Sequence, residues 1–303
     1  MKLNNIKLIG ILVVLVAIYG IIQLTGGKKK SKSLRSELVE IDTAKVTSIN
    51  VKSSAGVVEL NKDGSAWNLK LESGKVVPAT SSSIQSTLGA LLTIKPSRMA
   101  TKSEAKWKDY QVDSTGTRVI VKEGEETTLD MVIGRFGMEG QRAYHTFVRL
   151  FEDKEVYVAN NFMSFSVSAE ASSYRDKILA RINKDSLLNV TFNYPADSSL
   201  QLSRSGDIWT ANGQATDSTN VAKYISGLNY ITGSIFVDDQ QGLISPTMSV
   251  VFQFANQNAI TIDGYQQDNS WVFHSSENEI GYFSDEALLG KVFKGMSEFA
   301  LKK

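Results

Sequence analysis

The two histidines are the side chains of this sequence best suited to acid–base or metal chemistry. His145 lies in AYHTFVRL and His274 in SWVFHSS, and both segments alternate apolar and polar residues as strands do. A general base needs an orienting partner, which the sequence does not reveal for either histidine. The sequence has no cysteine, which excludes thiolate catalysis and cysteine-ligated metal sites. It therefore predicts no catalytic, cofactor-binding or metal-binding residue, and we expect a protein that is not an enzyme.

Two further patterns resemble ligand sites but fit loops better. GRFGMEG, residues 134–140, has a glycine at every third position, whereas a dinucleotide fingerprint has the spacing G-x-G-x-x-G and opens a helix. Strand-like residues follow this stretch, so the pattern favours a hairpin loop. Asp238 and Asp239 are adjacent acids, which would point to opposite sides of an extended chain. A solvated loop is therefore the better interpretation than a cation site.

The N-terminus carries the clearest signal in the sequence. Residues 8–24, LIGILVVLVAIYGIIQL, form an apolar run that reaches the length of a membrane span, about 17–25 residues. The apolar core of a cleaved signal peptide is shorter, about 7–15 residues, and is followed by a small-residue cleavage motif that is missing here. We expect an uncleaved single-pass anchor over residues 1–27 and a polar tether over 28–43. A cleaved signal peptide and a buried core helix are the alternatives.

A cluster of positive charges follows the apolar run. Lys28, Lys29, Lys30 and Lys32 are candidate contacts to anionic lipid headgroups, each worth about 1 kcal/mol near a charged surface. A simple topogenic flank is the alternative. The positive-inside rule would hold this flank in the cytoplasm, whereas short N-terminal anchors commonly send the following domain across the membrane, so charge alone leaves the orientation open. The net charge of the whole chain is +1, which does not favour a nucleic-acid partner.

The remainder of the chain reads as two copies of one unit. Leu60, the turn NKDG and Trp67 recur as Leu202, the turn SRSG and Trp209, at the same offset of 142 positions. Apolar residues at helical spacing follow each tryptophan, and strand-like segments follow each helix in the same order. The residues predicted to anchor the repeat are Trp67, Trp209, Gly64 and Gly206.

These patterns predict an α+β fold: an N-terminal transmembrane helix followed by two tandem copies of a unit made of an antiparallel sheet and a helix. The predicted copies span residues 44–184 and 185–303. In each copy we expect the tryptophan to anchor the sheet against the helix that follows it. The charged stretch 174–177, YRDK, either locks the junction between the copies or forms a patch to which a partner docks.

Several segments of the first copy are similar to one bacterial family. KVTSINVKSSAGVVELNKDGSAWNL, LLTIKPSRM, VIGRFG, AYHTFVRL, EVYVAN and SYRDKIL resemble the family called domain of unknown function 4340, over about residues 40–185. The second copy resembles it only loosely. WKDYQVDSTGTRV replaces the Tyr-Gly-Leu segment that the family would have before the middle strands. The family has no established catalytic residues, so the resemblance transfers none.

The resemblance implies an envelope protein with an N-terminal anchor, because members of this family look like anchored envelope proteins, and some are related to the auxiliary component of gliding-motility-type ABC transporters. We therefore expect a non-enzymatic protein of the bacterial inner membrane, anchored through residues 8–24, whose remaining chain faces the periplasm. Its expected role is that of an accessory or scaffolding subunit of an ABC-type transporter or another membrane complex. The alternative is an extracytoplasmic protein that binds a glycan or peptide in a cleft between the two copies.

Overall fold

The structure of the protein, a computed structural model, describes residues 37–140, 142–196, 198–239, 243–267 and 270–301. The predicted anchor over residues 1–27 and the four lysines after it lie outside these ranges. Within them, every helix is too short or too polar to cross a membrane.

The described residues form nineteen strands and five short helices. The strands are β1 (Val46–Ser53), β2 (Gly56–Asp63), β3 (Ala66–Lys70), β4 (Val76–Ala79), β5 (Pro96–Thr101), β6 (Thr117–Glu123), β7 (Glu126–Glu139), β8 (Ala143–Leu150), β9 (Val156–Asn160), β10 (Ile178–Ala180), β11 (Leu187–Asn193), β12 (Ser199–Ser205), β13 (Ile208–Ala211), β14 (Gln214–Ala215), β15 (Ile231–Thr232), β16 (Met248–Phe254), β17 (Ile260–Gln267), β18 (Ser270–Ser275) and β19 (Asn278–Phe283). The helices are α1 (Ser81–Leu92), α2 (Trp107–Tyr110), α3 (Ser218–Ser226), α4 (Glu286–Val292) and α5 (Met296–Phe299).

The predicted α+β class was wrong, because the described chain is mostly antiparallel β-sheet. The stretch NNFMSFSVSAEASS, residues 160–173, reads as helix-like in the sequence, but after Asn160, the last residue of β9, it forms only two 3₁₀ turns, Ser164–Ser166 and Ala171–Tyr174. Five serines interrupt this stretch, and serine side chains compete with the backbone for the hydrogen bonds of a helix. Residues 284–301 carry apolar residues at the spacing of one helical stripe, yet they form two short helices, α4 and α5, because the backbone is extended at Phe293 and Gly295.

The first sheet has nine strands in the order β4-β3-β2-β1-β6-β7-β8-β9-β5, and each neighbouring pair is antiparallel. One face, here called the inner face, packs against α1. The helix buries Ile84, Thr87, Leu88 and Leu91, which recur at the spacing of one helical stripe. The opposite, outer face carries a smaller cluster, in which Val132 and Phe147 of the sheet pack against α2 and the residues around it.

The second sheet has eight strands in the order β14-β13-β12-β11-β16-β17-β18-β19, all antiparallel. This is the order of the first eight strands of the first sheet, and α3 follows β14 as α1 follows β4. The carboxylate of Asp217 caps α3 by accepting hydrogen bonds from the amides of Thr219 and Asn220. The second core gathers α3, α4 and α5 on one face of this sheet.

The two copies differ in the strand that follows the helix. In the first copy β5 follows α1 and pairs with β9 at the end of its own sheet. In the second copy β15 follows α3 and pairs with β10, a strand that lies before the predicted boundary at residue 184. Residues 178–180 therefore contact the second copy. The buried residues of the first core end at Tyr174, and those of the second begin at Leu179.

The two tryptophan turns have the same geometry. Asp63 pairs with Ala66 and Ser205 pairs with Ile208, so each turn has two central residues. Gly64 and Gly206 open these turns at φ +58° and +61°, in the left-handed region where a side chain would be strained. Trp67 is 8% exposed within the first core, whereas Trp209 is half-buried at the margin of the second.

We predict that Trp67→Ala destabilises the first copy by about 3–5 kcal/mol, because a buried indole is replaced by a cavity. Trp209→Ala should cost less, about 1–3 kcal/mol, because its side chain already contacts solvent. Urea unfolding followed by circular dichroism measures both changes. Equal losses for the two variants, or no loss for Trp67→Ala, would contradict the assignment of Trp67 to the core.

Candidate functional site

The two histidines lie in different sheets and are not brought together. His145 stands edge-on to Phe147 on the outer face of the first sheet, with 5.2 Å between the ring centroids. His274 stacks on Tyr282 at 4.2 Å on β18 of the second sheet. Asp263 lies opposite His274 on β17, where burial raises the pKa of the carboxyl while the histidine charge acts to lower it. Within the described ranges, no three His, Asp or Glu side chains are placed to hold a metal ion.

The glycine-rich stretch 134–140 lies in a hairpin, but the prediction that it forms the loop was wrong: residues 134–139 are the end of β7, and only Gly140 lies in the turn into β8. Gly134 has a packing role in this strand. A β-carbon there would lie 2.3 Å from the carbonyl oxygen of Tyr110, so only glycine lets the segment after α2 lie against the sheet. Gly116, directly before β6, has the same role. A β-carbon there would lie 2.3 Å from the carbonyl oxygen of Gln111.

Asp238 lies in a loop, as expected, but its carboxylate is paired rather than freely solvated. Its carboxylate accepts two hydrogen bonds from the guanidinium of Arg175, at 2.8 and 3.0 Å. Arg175 is buried and stacks 3.7 Å from the ring centre of Phe236. The ammonium group of Lys75 donates a further hydrogen bond to the carbonyl oxygen of Asp238, at 2.8 Å. Arg175 thus locks the junction between the copies, which was the first of the two interpretations of the stretch 174–177.

Apolar side chains are exposed together at the far end of the β7–β8 hairpin. β6 pairs with β7 only as far as Ile133, while β7 continues to Glu139 and pairs with β8 alone. A bulge between Ile133 and Phe136 keeps both on the inner face. The set that we call the aromatic hairpin consists of Phe136, Met138 and Tyr144 of the hairpin and Phe165 of the adjacent 3₁₀ turn.

The rings of the aromatic hairpin lie close together, with Phe136 and Tyr144 half-buried and Met138 and Phe165 largely exposed. The ring of Phe136 lies 6.0 Å from that of Tyr144 and 5.9 Å from that of Phe165, measured between centroids. Met138 is 63% exposed and Phe165 is 69% exposed. Scattered exposed apolar residues are ordinary, whereas a contiguous exposed group marks an interaction site. The strand segment 135–139 beside this group has a neighbour on one side only in the described registers, so it can accept an added strand.

The sequence patterns do not reveal this surface. Phe165 lies in a stretch that reads as a helix, and the 3₁₀ turn Ser164–Ser166 instead turns its ring towards the hairpin. The only signal in the sequence is the length of the β-like pattern from Glu126 to Glu139, which is longer than that of β6. A strand that outruns its neighbour must leave part of its edge unpaired.

We predict that Arg175→Ala destabilises the contact between the copies by about 1–3 kcal/mol, because it leaves the carboxylate of Asp238 without its cation. The loss is smaller than for a fully buried pair, since Asp238 is 34% exposed and water screens it. Lys70→Ala is the matched control, because it breaks the exposed pair between Lys70 and Glu59 and should cost less than about 0.5 kcal/mol. Urea midpoints that fall equally in the two variants would disprove the lock.

Comparison with known proteins places this architecture in a family. No curated protein and no solved structure matched the chain. A family model described as a domain of unknown function, DUF4340, matches residues 67–245, which is more than half of the chain. The match begins at Trp67 and extends through α3 and β15 into the second copy, further than the loose similarity of that copy suggested. The chain belongs to the DUF4340 family.

Proposed function

We propose that this protein is a non-enzymatic accessory subunit that binds another subunit of a membrane complex, such as an ABC-type transporter, through the aromatic hairpin. The observation that carries the proposal is the coincidence of an unpaired strand edge, residues 135–139, with a contiguous group of exposed apolar side chains. Together they provide main-chain hydrogen bonds for affinity and side-chain contacts for specificity.

The partner that fits this surface is an extended segment of another protein. Such a segment would pair with residues 135–139 on the side that β6 leaves open, and extend the sheet by one strand. Side chains alternate along a strand, so every second residue of the segment would face Phe136 and Phe165. We therefore propose a partner segment with apolar residues at alternate positions. A soluble protein that exposed this surface permanently would risk aggregation through the same edge.

The membrane location in this proposal rests on the sequence. The apolar run of residues 8–24 supports attachment to the bacterial inner membrane, and the lysines after it support contact with anionic lipid headgroups. The resemblance to envelope proteins favours the periplasm for the two sheets. A protein tethered in this way searches for its partner within the plane of the membrane, which raises the effective concentration of both.

The alternative function, ligand binding in a cleft between the copies, has less support. Where Arg175, Phe236 and Asp238 meet, the copies are packed in direct contact. A second contact lies nearby, where Asn278 donates to the carbonyl oxygens of Asp176 and Ile178 at 3.2 and 2.9 Å. These contacts fill the junction with hydrogen-bonded side chains, which favours a structural role for it.

We predict that a photo-crosslinking residue placed at Met138 joins the full-length protein in intact cells to an integral membrane protein. Phe165→Asp should reduce this crosslink by at least about tenfold, because it places a charge in the apolar contact. Ile208→Asp is the matched control, because Ile208 is equally exposed, at 69%, but lies at the start of β13 in the second copy. It should leave the crosslink unchanged. A crosslink only to a second copy of this chain, or one that both variants keep, would refute the proposal.

We also predict that protease added to spheroplasts digests the two sheets of the protein, because the proposed orientation exposes them on the periplasmic side. Digestion is followed with an epitope at the C-terminus and with a cytoplasmic protein as the control for intact cells. A C-terminal epitope that survives until the membrane is dissolved would place the sheets in the cytoplasm.

A further inference from the structure

A row of three cations crosses the outer face of the first sheet. Lys52 of β1 pairs with Arg118 of β6, Arg118 pairs with Val132 of β7, and Val132 pairs with Arg149 of β8. Directly opposed residues on one face of a sheet have β-carbons about 4.5–5.5 Å apart, and like charges at that distance repel. Asp130 offsets one of these charges, through two hydrogen bonds from Arg118 at 2.7 and 2.9 Å.

Arg149 is a buried cation whose hydrogen bonds go to carbonyl oxygens and not to a carboxylate. It is 3% exposed, and it donates from Nε to the carbonyl oxygen of Val112 and from Nη1 to three further carbonyl oxygens, at distances of 2.6–3.1 Å. Its guanidinium also lies 3.8 Å from the ring centre of Trp107. Burial lowers the pKa of this guanidinium, although arginine remains charged at any physiological pH. The result is a rigid cation whose Nη2 is not used by these bonds.

A cavity of about 470 Å³ opens above this row, with Trp107 and Phe151 as aromatic walls. The cationic side chains of Lys52, Arg118 and Arg149 line it, and so do the hydroxyl-bearing residues Ser53, Ser54 and Ser114. Phe151 also holds Arg118 in place, since the guanidinium carbon lies 3.3 Å from its ring centre. Cavities of about 300–1,000 Å³ are the size that small molecules occupy.

One carboxylate, that of Asp113, also lines the cavity. Its Oδ1 is occupied within its own loop, where it accepts hydrogen bonds from the amide and the hydroxyl of Thr115 at 3.1 and 2.6 Å. Those hydrogen bonds hold the pKa of Asp113 below its ordinary value, so the group stays negative. Asp130 offsets the charge of Arg118 and Asp113 adds a second carboxylate, so the three cations leave one net positive charge around the cavity, which favours an anion.

The second copy shows that the fold does not require this row of charges. Asn193, Ser249, Asp263 and His274 stand at the corresponding places, because they pair across β11, β16, β17 and β18 in the same succession. Asn193 there donates a hydrogen bond to the hydroxyl of Ser249 at 2.9 Å. The same sheet positions thus accept uncharged polar, acidic and imidazole side chains. The cations are a property of the first copy alone.

We propose that the cavity over Lys52, Arg118 and Arg149 binds a small organic anion, a carboxylate or phosphate carried on an apolar ring. Lys52 has no salt bridge to a described carboxylate, and the hydrogen bonds above use neither Nη1 of Arg118 nor Nη2 of Arg149, so each of the three cations that line the cavity keeps a donor for the acidic group of a ligand. The ring of the ligand lies between Trp107 and Phe151. Because two of the three cations are already fixed by stacking and hydrogen bonds, binding orders little of the protein.

The test is isothermal titration calorimetry of the detergent-solubilised full-length protein with benzoate and phenyl phosphate, and with benzamide as the neutral control. We expect saturable binding of at least one anion, with benzamide at least about tenfold weaker, which is the factor that 1.4 kcal/mol produces. Lys52→Glu should weaken binding of the anion by about tenfold or more, since it replaces an attraction by a repulsion at the cavity. The indole N–H resonance of Trp107, in protein labelled at tryptophan nitrogen, should shift on binding.

Lys122→Glu is the matched control, because it makes the same change of charge as Lys52→Glu. Lys122 lies on the neighbouring strand β6, on the same side of that strand as Arg118, but does not line this cavity. Lys122→Glu should change the affinity by less than about twofold. Lys52 is exposed and has no described ion pair, so its replacement leaves the fold intact, and a change in affinity reports on the cavity. The proposal would be overturned if neither anion shows saturable binding up to about 10 mM, because the binding free energy would then be weaker than about 3 kcal/mol. Binding that Lys52→Glu leaves unchanged would overturn it as well.

Discussion

One short helix has to cover a sheet of nine strands, and much of the first copy follows from this mismatch. With 12 residues, α1 is about 18 Å long. Nine strands at the usual spacing are about 38 Å wide. The stretch 161–174 extends the cover, because Phe162, Val167 and Tyr174 are buried in the same core as α1. Tyr174 donates its hydroxyl proton to the carbonyl oxygen of Ser168 and so closes this stretch on itself. Together, α1 and this stretch do not reach the far end of the β7–β8 hairpin, so the inner face stays open to solvent at the aromatic hairpin.

The outer face obeys a different constraint. It is covered only where Gly116 and Gly134 let the segment around α2 approach the backbone, and Arg149 holds that segment by its hydrogen bond to Val112. A guanidinium is suited to this place because it satisfies several carbonyl oxygens at once, which would otherwise be buried without donors. The same side chain forms the floor of the cavity beside Trp107. Structural and binding roles therefore meet in one residue, which makes Lys52 the cleaner position for a test of binding.

Local patterns in the sequence predicted the local structure well. The two-residue turns at Gly64 and Gly206 and the stripe of α1 depend on neighbours within a few positions, and periodicity reveals such features. The fold class was wrong because a helical stripe of apolar residues also fits short 3₁₀ turns once tertiary contacts take over. The pair of Arg175 and Asp238 joins residues 63 positions apart, and only the path of the chain brings them together. The same holds for the aromatic hairpin, whose exposure depends on where β6 stops.

Each of the two cores is made from one uninterrupted stretch of chain, up to Tyr174 for the first and from Leu179 for the second. No strand of the first sheet comes from beyond Asn160 among the described residues. The first copy has therefore been synthesised completely before the ribosome begins the second. It can fold on the growing chain, whereas β10 can pair only after β15, about fifty residues further along the chain, has been synthesised. Synthesis in this order favours pairing within each sheet over the exchange of strands between the two similar sheets, a hazard of tandem copies.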